Sequence, residues 1–399
     1  MLQRFLAISL LLLFTSFAGF AQGRGSAGSI SGIVSDPNGA VVAGATVTLS
    51  NALTGYSQSF TTDSDGSYRF DNVPPNAYSL RVVATGFRTN VLAVSVRSTV
   101  PMNLPVSLAL ANATATVDVS SNATVVENIS TTHTDIDQTL IRRLPLNSSG
   151  NGLSDVVSMT SPGVVPDSNG FFHPLGDHAQ TQFSIDGQPI SDQQSKAFST
   201  QIPVNAIQSL EVITGSTPAE FGDKTSLVIS AVTKSGLNQK RPTGSFFSSI
   251  GNFGTYKEEA DVAFGNARAG NFVAFNFDRS NRFLDAPEFV SLHNNGNSFS
   301  IFDRVDYSPT VNDTFHLNFF AARNKFQIAN TYDQEALGQD QSQRVTSLNI
   351  APGYVHIFSQ STVLSINPFY RVDNVNYYPS ADPFSDQTTT IAQQRRLAH

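Results

Sequence analysis

The sequence predicts a mainly β protein made of several consecutive β units. Short apolar runs rich in Val, Ile and Thr recur along most of the 399 residues, and Gly, Pro, Asn and Asp separate them. The last 160 or so residues alternate apolar and polar positions over segments of about ten residues. An apolar fraction of 40% is enough for packed cores, so we expect two or three folded domains.

Low charge and the absence of Cys exclude several functional classes. Charged residues make up 14% of the chain and the net charge is −7, with no long basic run. Such a surface does not suit a phosphate backbone, so nucleic acid is not an expected partner. With no Cys, the chain has no disulfides, thiolate zinc sites or Cys nucleophiles.

The first residues predict export from the cytoplasm. Arg4 precedes a continuous apolar run, and the segment Gly19-Phe20-Ala21 offers small residues to a signal peptidase. Residues 1–21 are therefore interpreted as a signal peptide. The alternative is an N-terminal membrane anchor, but the run is shorter than the ~20 residues that a spanning helix needs.

Residues 27–108 predict a small antiparallel β-sandwich. Short alternating strands follow one another, with Gly, Pro, Asn and Asp in the turns between them. In one of these strands Ala45, Val47 and Leu49 alternate with Thr and Ser, which predicts one buried face and one hydrated face.

This region resembles a carboxypeptidase regulatory-like domain over about 80 residues. The family has a β-sandwich of carbohydrate-binding-like or transthyretin-like form and is not itself a peptidase. The resemblance therefore implies a binding or spacing module rather than hydrolysis. The segments that carry the resemblance are residues 32–34 with Asp36, residues 44–47, residues 62–70, Pro74-Pro75 with Tyr78, and Gly86-Phe87.

The stretch SLEVITGSTPAEFGDKTSLVISAVTKSG, residues 209–236, predicts two strands with a turn-rich connection. Val and Ile are enriched at residues 210–213 and 227–232, and Gly215, Pro218 and Gly222 lie between the two runs. Upstream, Asp186-Gly187 between apolar residues predicts a tight hairpin. The stretch contains no nucleophile, base or metal cluster, so it is interpreted as structural.

Residues 125–238 resemble the plug domain of TonB-dependent outer-membrane receptors, which implies a mixed α/β fold. The segments that carry the resemblance are Leu-Pro-Leu-Asn at 144–147, the hairpin Asp186 and Gly187, the strand ending at Gly215, the turn Glu220, Phe221 and Gly222, and the end of the last strand at Thr233, Lys234 and Gly236. Ser226-Leu227 stands where the family usually has a Gly pair. A regulatory-like module ahead of such a plug resembles the Oar-like subgroup.

The polar segment 109–124 is predicted to be an extended linker. Receptors of this family present an extended segment to a TonB-type periplasmic energy-coupling protein, which adds it as a strand to its own sheet. The residues predicted for this role are Thr116, Val117, Asp118 and Val119, which alternate between the two domains. An inert linker is the alternative.

Residues 239–399 are predicted to form the first strands of an antiparallel transmembrane β-barrel. Three segments alternate apolar with polar residues, as outer-membrane strands do. The apolar sides of these segments are Val273, Phe275 and Phe277; Phe315, Leu317 and Phe319; and Leu364, Ile366 and Tyr370. A soluble sandwich also alternates, and the export signal and the resemblance to a plug favour the barrel.

No catalytic, metal or cofactor site is predicted. His173 and His178 are the closest pair of His residues, and they lack a third ligand. The sequence also lacks a Gly-x-Ser-x-Gly nucleophile elbow. The chain is therefore not expected to be an enzyme.

The resemblance implies an outer-membrane receptor that takes up a ligand with energy from the inner membrane. The expected partners are the coupling protein, outer-membrane lipid and an unidentified ligand, which could be a carbohydrate, a siderophore or a peptide. The N-terminal domains would lie in the periplasm. The alternative function is a secreted or surface-attached β-sandwich adhesion protein.

The number of strands predicts an incomplete barrel. Residues 239–399 contain about seven recognisable strands, whereas plugged barrels have on the order of 22. An open sheet edge in lipid leaves backbone groups unsatisfied at several kcal/mol each. We therefore expect the chain to be an N-terminal fragment that does not insert stably alone.

Overall fold

The structure is a computed structural model. It describes residues 28–51, 56–73, 76–96, 102–111, 132–146, 152–166, 171–174, 181–190, 199–215, 226–239, 241–310, 312–359, 362–386 and 395–398. The predicted signal peptide, the predicted coupling residues 116–119 and the turn at 220–222 lie outside these ranges. No helix among the described residues has the length and apolar character needed to cross a membrane.

The N-terminal β-sandwich consists of two four-stranded sheets, as predicted. Its strands are β1 (Gly28–Ser35), β2 (Thr46–Ser50), β3 (Ser57–Thr61), β4 (Ser67–Val73), β5 (Asn76–Val83), β6 (Asn90–Val96), β7 (Met102–Asn103) and β8 (Val106–Ser107). One sheet has β1 between β4 and the short β7 and β8, and the other has the order β3-β2-β5-β6. β7 and β8 pair with β1 in parallel, because the chain reaches them from β6 of the other sheet, so the prediction of an entirely antiparallel sandwich is wrong at this edge. Ala45, Val47 and Leu49 are fully buried between the sheets, which confirms the alternation read from the sequence.

The hydrogen bonds of the β-sandwich continue past residue 108. The Arg88 amide donates to the Ala109 carbonyl at 2.8 Å, and the Ala111 amide donates to the Gly86 carbonyl at 3.0 Å. Phe87 also forms an isolated bridge with Leu110. The first three residues of the predicted linker therefore close one end of the sandwich.

The next domain, called the plug domain below, is mixed α/β as predicted. Its strands are β9 (Thr132–Asp137), β10 (Val164–Pro166), β11 (Phe172–Pro174), β12 (Thr181–Ile185), β13 (Gln188–Ile190), β14 (Ile207–Thr214) and β15 (Leu227–Thr233). Two helices, α1 (Gln138–Ile141) and α2 (Leu153–Thr160), and a 3₁₀ turn (Val204–Ala206) complete it. Both predicted strands of the 209–236 stretch are present as β14 and β15.

The sheet of the plug domain has the order β13-β12-β15-β14-β9. β14 pairs antiparallel with β15 and, on its other side, with β9, so β9 is an edge strand. β15 is buried along its whole length, because the sheet is covered on both faces. This burial explains why its sequence is a continuous apolar run rather than an alternating one.

The remaining residues form one nine-stranded antiparallel sheet. Its strands are β16 (Thr243–Ile250), β17 (Tyr256–Gly265), β18 (Ala269–Ser280), β19 (Gly296–Tyr307), β20 (Asp313–Gln327), β21 (Ser342–Ser359), β22 (Thr362–Ile366), β23 (Tyr370–Tyr378) and β24 (Arg395–Ala398). Helix α3 (Tyr332–Ala336) and 3₁₀ turns at Asn252–Gly254 and Pro383–Asp386 lie in its connections. The sequence had indicated about seven strands.

Part of the difference between the roughly seven predicted and the nine observed strands comes from one predicted strand that is divided in two. The segment STVLSINPFYRVD was predicted to be one strand, and the structure divides it into β22 and β23 around Pro368. Both pieces pair with β21 in the same register, with Ile366 opposite Tyr354 and Tyr370 opposite Ile350. Pro368 lacks a backbone donor, so the ladder is interrupted there without a change of face.

The two ends of the nine-stranded sheet differ in the length of their connections. At one end, where the chain enters from the plug domain, the strands are separated by only two to five residues, at 266–268, 308–312 and 360–361. At the other end, three long connections span residues 281–295, 328–341 and 379–394, and one short connection spans residues 251–255. This asymmetry is typical of outer-membrane barrels, whose short turns are periplasmic and whose long loops are extracellular.

Candidate functional site

The plug domain packs against one face of the nine-stranded sheet. A single hydrophobic cluster contains buried residues of both parts, so their cores are continuous. The sheet contributes Ala263, Phe272, Ala274, Phe302, Phe320 and Ala322 to this cluster. The plug domain and the sheet therefore share one packed interface. The polar contacts across this interface form the candidate site.

The sheet is buried on its polar side and exposed on its apolar side. On β20, Asn318 is 3% exposed, whereas Phe315 is 43% and Leu317 40% exposed. In the other two predicted segments Asp278 and Arg371 are buried and Leu364 and Ile366 are exposed. The apolar residues of the β18 segment, at 273, 275 and 277, are half-buried. A soluble sandwich buries its apolar face, so this inverted pattern favours a barrel strand that faces lipid outside.

Asp186 is held at the tip of the predicted hairpin between β12 and β13. Asp186 and Gly187 have φ values of 47° and 80°, as a two-residue type I′ turn requires. The Asp186 carboxylate accepts hydrogen bonds from the Thr233 amide at 2.9 Å and from the Thr233 hydroxyl at 2.6 Å. It also accepts one from Asn318 Nδ2 of the sheet at 2.7 Å.

Arg304 of β19 connects this hairpin to the sheet. Its guanidinium lies 3.3 Å from Asp186 Oδ1 and 3.0 Å from Asp306 Oδ1, and it donates to the Thr233 hydroxyl at 3.0 Å. Arg304 and Asp306 are 8% and 1% exposed, so the charges are buried. One cation between two carboxylates satisfies a buried network only while all three groups are present.

The chain then passes from the plug domain into the sheet by a close backbone approach. The Ser235 hydroxyl donates to Asp306 Oδ2 at 2.5 Å and accepts from the Leu237 amide at 3.1 Å. A Cβ atom at Gly236 would lie 2.2 Å from the Asn271 carbonyl oxygen of β18. Only glycine therefore fits at this position.

Lys234 is the least well paired charge near this crossing. Its side chain is 15% exposed, and Nζ lies 3.7 Å from Asp261 Oδ1 and 5.5 Å from the centre of the Phe272 ring. Burial lowers the pKa of Lys234 to about 8, although Asp261 favours the charged form. The ammonium has three donors, and its ion pair is longer than a hydrogen bond.

A second set of polar contacts ties the plug domain to the sheet farther along. Gln188 and Asn349 exchange two amide hydrogen bonds, at 2.8 and 2.9 Å, and both side chains are buried. Asn324 Nδ2 donates to the Ser199 carbonyl at 2.9 Å. The plug domain is thus held to β17, β19, β20 and β21 of the sheet by neutral as well as ionic contacts.

The structure brings together most of the residues singled out in the plug motif. Asp186, Gly187, Thr233, Lys234 and Gly236 lie around one crossing between the plug domain and the sheet. Gly215 lies at the opposite end of β14, where its φ of 85° places it in the left-handed region. Glu220, Phe221, Gly222 and the residues Thr116, Val117, Asp118 and Val119 lie outside the described residues.

Sequence reasoning did not identify the partners that the sheet supplies. Arg304, Asp306 and Asn318 come from β19 and β20, more than 100 residues after Asp186 in the sequence. The sequence does predict that these residues need partners, because a charged or amide side chain on the buried side of a strand must be hydrogen-bonded. The identity of that partner depends on how the plug domain sits on the sheet.

The described residues contain no group of three His, Asp or Glu side chains placed to hold a metal ion. The ionisable groups at the crossing are instead paired with one another across the interface. Their arrangement can hold the plug domain and the sheet together.

Comparisons with known proteins agree with this architecture. The family model of the carboxypeptidase regulatory-like domain matches residues 29–128, which includes the predicted linker. The TonB-dependent receptor plug domain matches residues 125–226. The TonB-dependent transporter Oar of Myxococcus xanthus is 29% identical over 197 residues, which are 46% of this chain and 18% of that protein.

Solved structures of similar shape come from outer-membrane receptors. The alcaligin receptor FauA of Bordetella pertussis has a TM-score of 0.49 at 14% identity, over 63% of this chain and 40% of that one. The ferric-catecholate receptor Fiu of E. coli K12 has a TM-score of 0.48 at 13% identity, over 63% of this chain and 40% of that one. The chain therefore spans less than half the length of these proteins.

The chain thus contains a carboxypeptidase regulatory-like domain followed by a TonB-dependent receptor plug domain and a sheet with a buried polar face. This order of parts resembles that of TonB-dependent receptors, and Oar, to which part of the chain is similar, is a TonB-dependent transporter.

Proposed function

We propose that this chain belongs to an outer-membrane receptor that imports a ligand with energy delivered from the inner membrane. The observation that supports this function most directly is the plug domain seated on the polar face of the sheet by the Asp186–Arg304–Asp306 network. A plug held in this way closes the lumen, and passage of a ligand requires some of these contacts to be broken. Uptake would therefore need an external source of work.

The proposed location is the outer membrane, with the β-sandwich and plug entry on the periplasmic side. The short turns of the sheet and the entry from the plug domain share one end, which supports this orientation. The long connections would face the outside and meet the ligand first. Its chemical class stays open among carbohydrate, siderophore and peptide.

The proposed coupling segment is residues 116–119, which a TonB-type periplasmic protein would add to its own sheet through main-chain hydrogen bonds. Val117→Pro removes one backbone donor from this segment. We expect it to weaken binding about tenfold, because the donor is lost and the proline ring also disturbs the strand. Ala123→Pro makes the same change in the same linker outside the segment and serves as the control.

Pull-down of the receptor by the periplasmic domain of the coupling protein is the measurement. Equal loss of binding in both variants, or in neither, would contradict the assignment of the segment. Heat-modifiable migration of the receptor after extraction from outer membranes tests the location separately, because closed barrels show this behaviour and secreted adhesion modules do not.

A further inference from the structure

A cavity of about 380 Å³ lies where the β-sandwich, the plug domain and the nine-stranded sheet meet. Tyr56 and Tyr78 of the sandwich form one side, as an edge-to-face pair with ring centres 5.1 Å apart. Phe272 of the sheet lies among the lining residues on another side. The volume falls in the range of cavities that bind small molecules.

Two cations, Lys234 and Arg142, line one end of this cavity together with Asp261. The Lys234 side chain is 15% exposed, and its Nζ lies 3.7 Å from Asp261 Oδ1. Arg142, which follows helix α1, lines the same region and opposes protonation of Lys234 through charge repulsion. The ammonium has three donors and Asp261 lies farther away than a hydrogen bond, so a carboxylate bound here could accept hydrogen bonds from Lys234 and Arg142 and would share Lys234 with Asp261.

The other end is anionic. Asp135 of β9 lies opposite Glu211 of β14, and Glu211 lies opposite Ser230 of β15, so the three residues share one level of the sheet. All three line the cavity, and Asp135 accepts a hydrogen bond from Asn76 Nδ2 of the sandwich at 2.7 Å. A carboxylate has about four acceptor positions, so an additional donor can still bind.

The spacing between the two ends follows from the strand. Lys234 comes four residues after Ser230, and an extended chain covers roughly 13 Å over that interval. Asp137 lies between the ends, and its carboxylate is engaged in capping helix α1 through the Leu140 amide at 2.8 Å. The cavity therefore presents opposite charges at two separated positions.

We propose that this cavity binds a short zwitterionic peptide of two or three residues. The terminal carboxylate would bind at Lys234 and Arg142, and the terminal ammonium at Asp135 and Glu211. Three extended residues span about 10 Å. The side chains of Lys234, Asp135 and Glu211 reach toward the peptide and cover the rest of the separation between the two ends. Because the cavity wall includes the sandwich, a bound peptide also holds the sandwich against the plug domain.

This proposal does not depend on the transported ligand, because the cavity lies on the side of the short turns. The probe is trialanine, compared with trialanine amide and N-acetyl-trialanine, which each lack one terminal charge. Binding to the full receptor in detergent is measured by calorimetry. We expect each modified peptide to bind about tenfold more weakly than trialanine, since each loses one charged hydrogen bond.

Lys234→Met separates the charge effect from general binding. This variant should lose most of the preference for trialanine over trialanine amide, because only Arg142, which is exposed, is left to bind the carboxylate. The matched control, Lys325→Met, changes an exposed lysine of the sheet and should keep the tenfold preference. Equal binding of the acid and the amide by the unmodified receptor would overturn the proposal, as would absence of saturable trialanine binding at millimolar concentrations.

A second measurement uses the unmodified receptor and so does not depend on how the variant folds. Lysines are reductively methylated with formaldehyde and borohydride, with and without trialanine, and the modified sites are quantified by mass spectrometry. Trialanine should protect Lys234 and leave Lys325 unprotected. Modification of Lys234 at an unchanged rate in the presence of trialanine would place the peptide elsewhere and overturn the assignment.

Discussion

The Arg304 guanidinium lies between the carboxylates of Asp186 of the plug domain and Asp306 of the sheet. Among the described residues no other cation is placed there. Buried ion pairs contribute little net stability compared with apolar packing, because both partners lose their hydration. Removing one member has a much larger effect, since it leaves the others charged and unpaired. The network therefore favours one docked position of the plug domain. Loss of any one of the three groups lowers the stability of that position.

Arg304→Met is expected to destabilise the docked plug domain by about 3–5 kcal/mol, because Asp186 and Asp306 would remain buried without their cation. Arg323→Met removes an exposed arginine of the adjacent strand and should change stability by less than about 1 kcal/mol. The measurement is proteolysis of the plug domain in the purified receptor across a urea series. Similar urea midpoints for the two variants would contradict this role of Arg304.

Gly236→Ala tests the backbone crossing at the same site. The new Cβ would lie 2.2 Å from the Asn271 carbonyl oxygen, which belongs to the backbone and cannot rotate away. We expect a loss of about 3 kcal/mol, the upper end of the range for overpacked sites, or failure to assemble, because the contact is with backbone. Gly251→Ala is the control, because its Cβ would meet Thr255 at an ordinary 3.5 Å. Equal thermal stability of the two variants would show that the strands can separate there.

At the scale of elements, local pattern was sufficient for strands and tight turns. β14, β15 and the Asp186-Gly187 hairpin follow from β-branched runs and from a dipeptide that adopts positive φ values. The pairing of β12 with β15 in parallel does not follow, because it joins segments separated by long connections. The division of a strand at Pro368 was missed because the alternation of faces continues across it.

The end of the β-sandwich offers a prediction at this scale. Residues 27–108 are expected to fold alone, and residues 27–111 should be more stable because they add the two hydrogen bonds of Arg88 and Gly86 to the tail. Two such bonds contribute about 1 kcal/mol each, which corresponds to a rise of several degrees in Tm for a domain of this size. Thermal melts of both fragments are the measurement. Identical melting temperatures would mean that the tail adds nothing.

At the scale of the whole molecule, the orientation in the membrane can be tested because the 399 residues contain no Cys. Phe289→Cys places a thiol in the long connection 281–295, where the side chain is 96% exposed. A membrane-impermeant maleimide should label it on intact cells. Ala267→Cys, in the short turn 266–268, should be labelled only after the outer membrane is permeabilised. The opposite result would reverse the orientation.

The arrangement of the three parts was the least predictable level. The domain types follow from sequence motifs, whereas the contact of Asn76 with Asp135 and that of Arg69 with Thr314 depend on how separately folded units meet. Polar side chains at such contacts look like ordinary solvated residues in the sequence. The same holds for Arg304, whose partners are visible only once the plug domain lies on the sheet.

The edge position of β9 has a mechanical consequence. Among the strands of the described residues, β9 pairs with β14 alone, and residues 120–131 separate it from the segment proposed to receive a pull. Tension arriving at Thr132 would load the β9–β14 pairs one after another, whereas β12 and the Asp186–Arg304 contact lie two strands farther across the sheet. If residues 116–119 receive a pull as proposed, loss of β9 breaks its pairs with β14 and the Asn76–Asp135 contact but leaves the Asp186–Arg304 contact in place. Removal of β9 alone therefore breaks fewer contacts than removal of the whole plug domain.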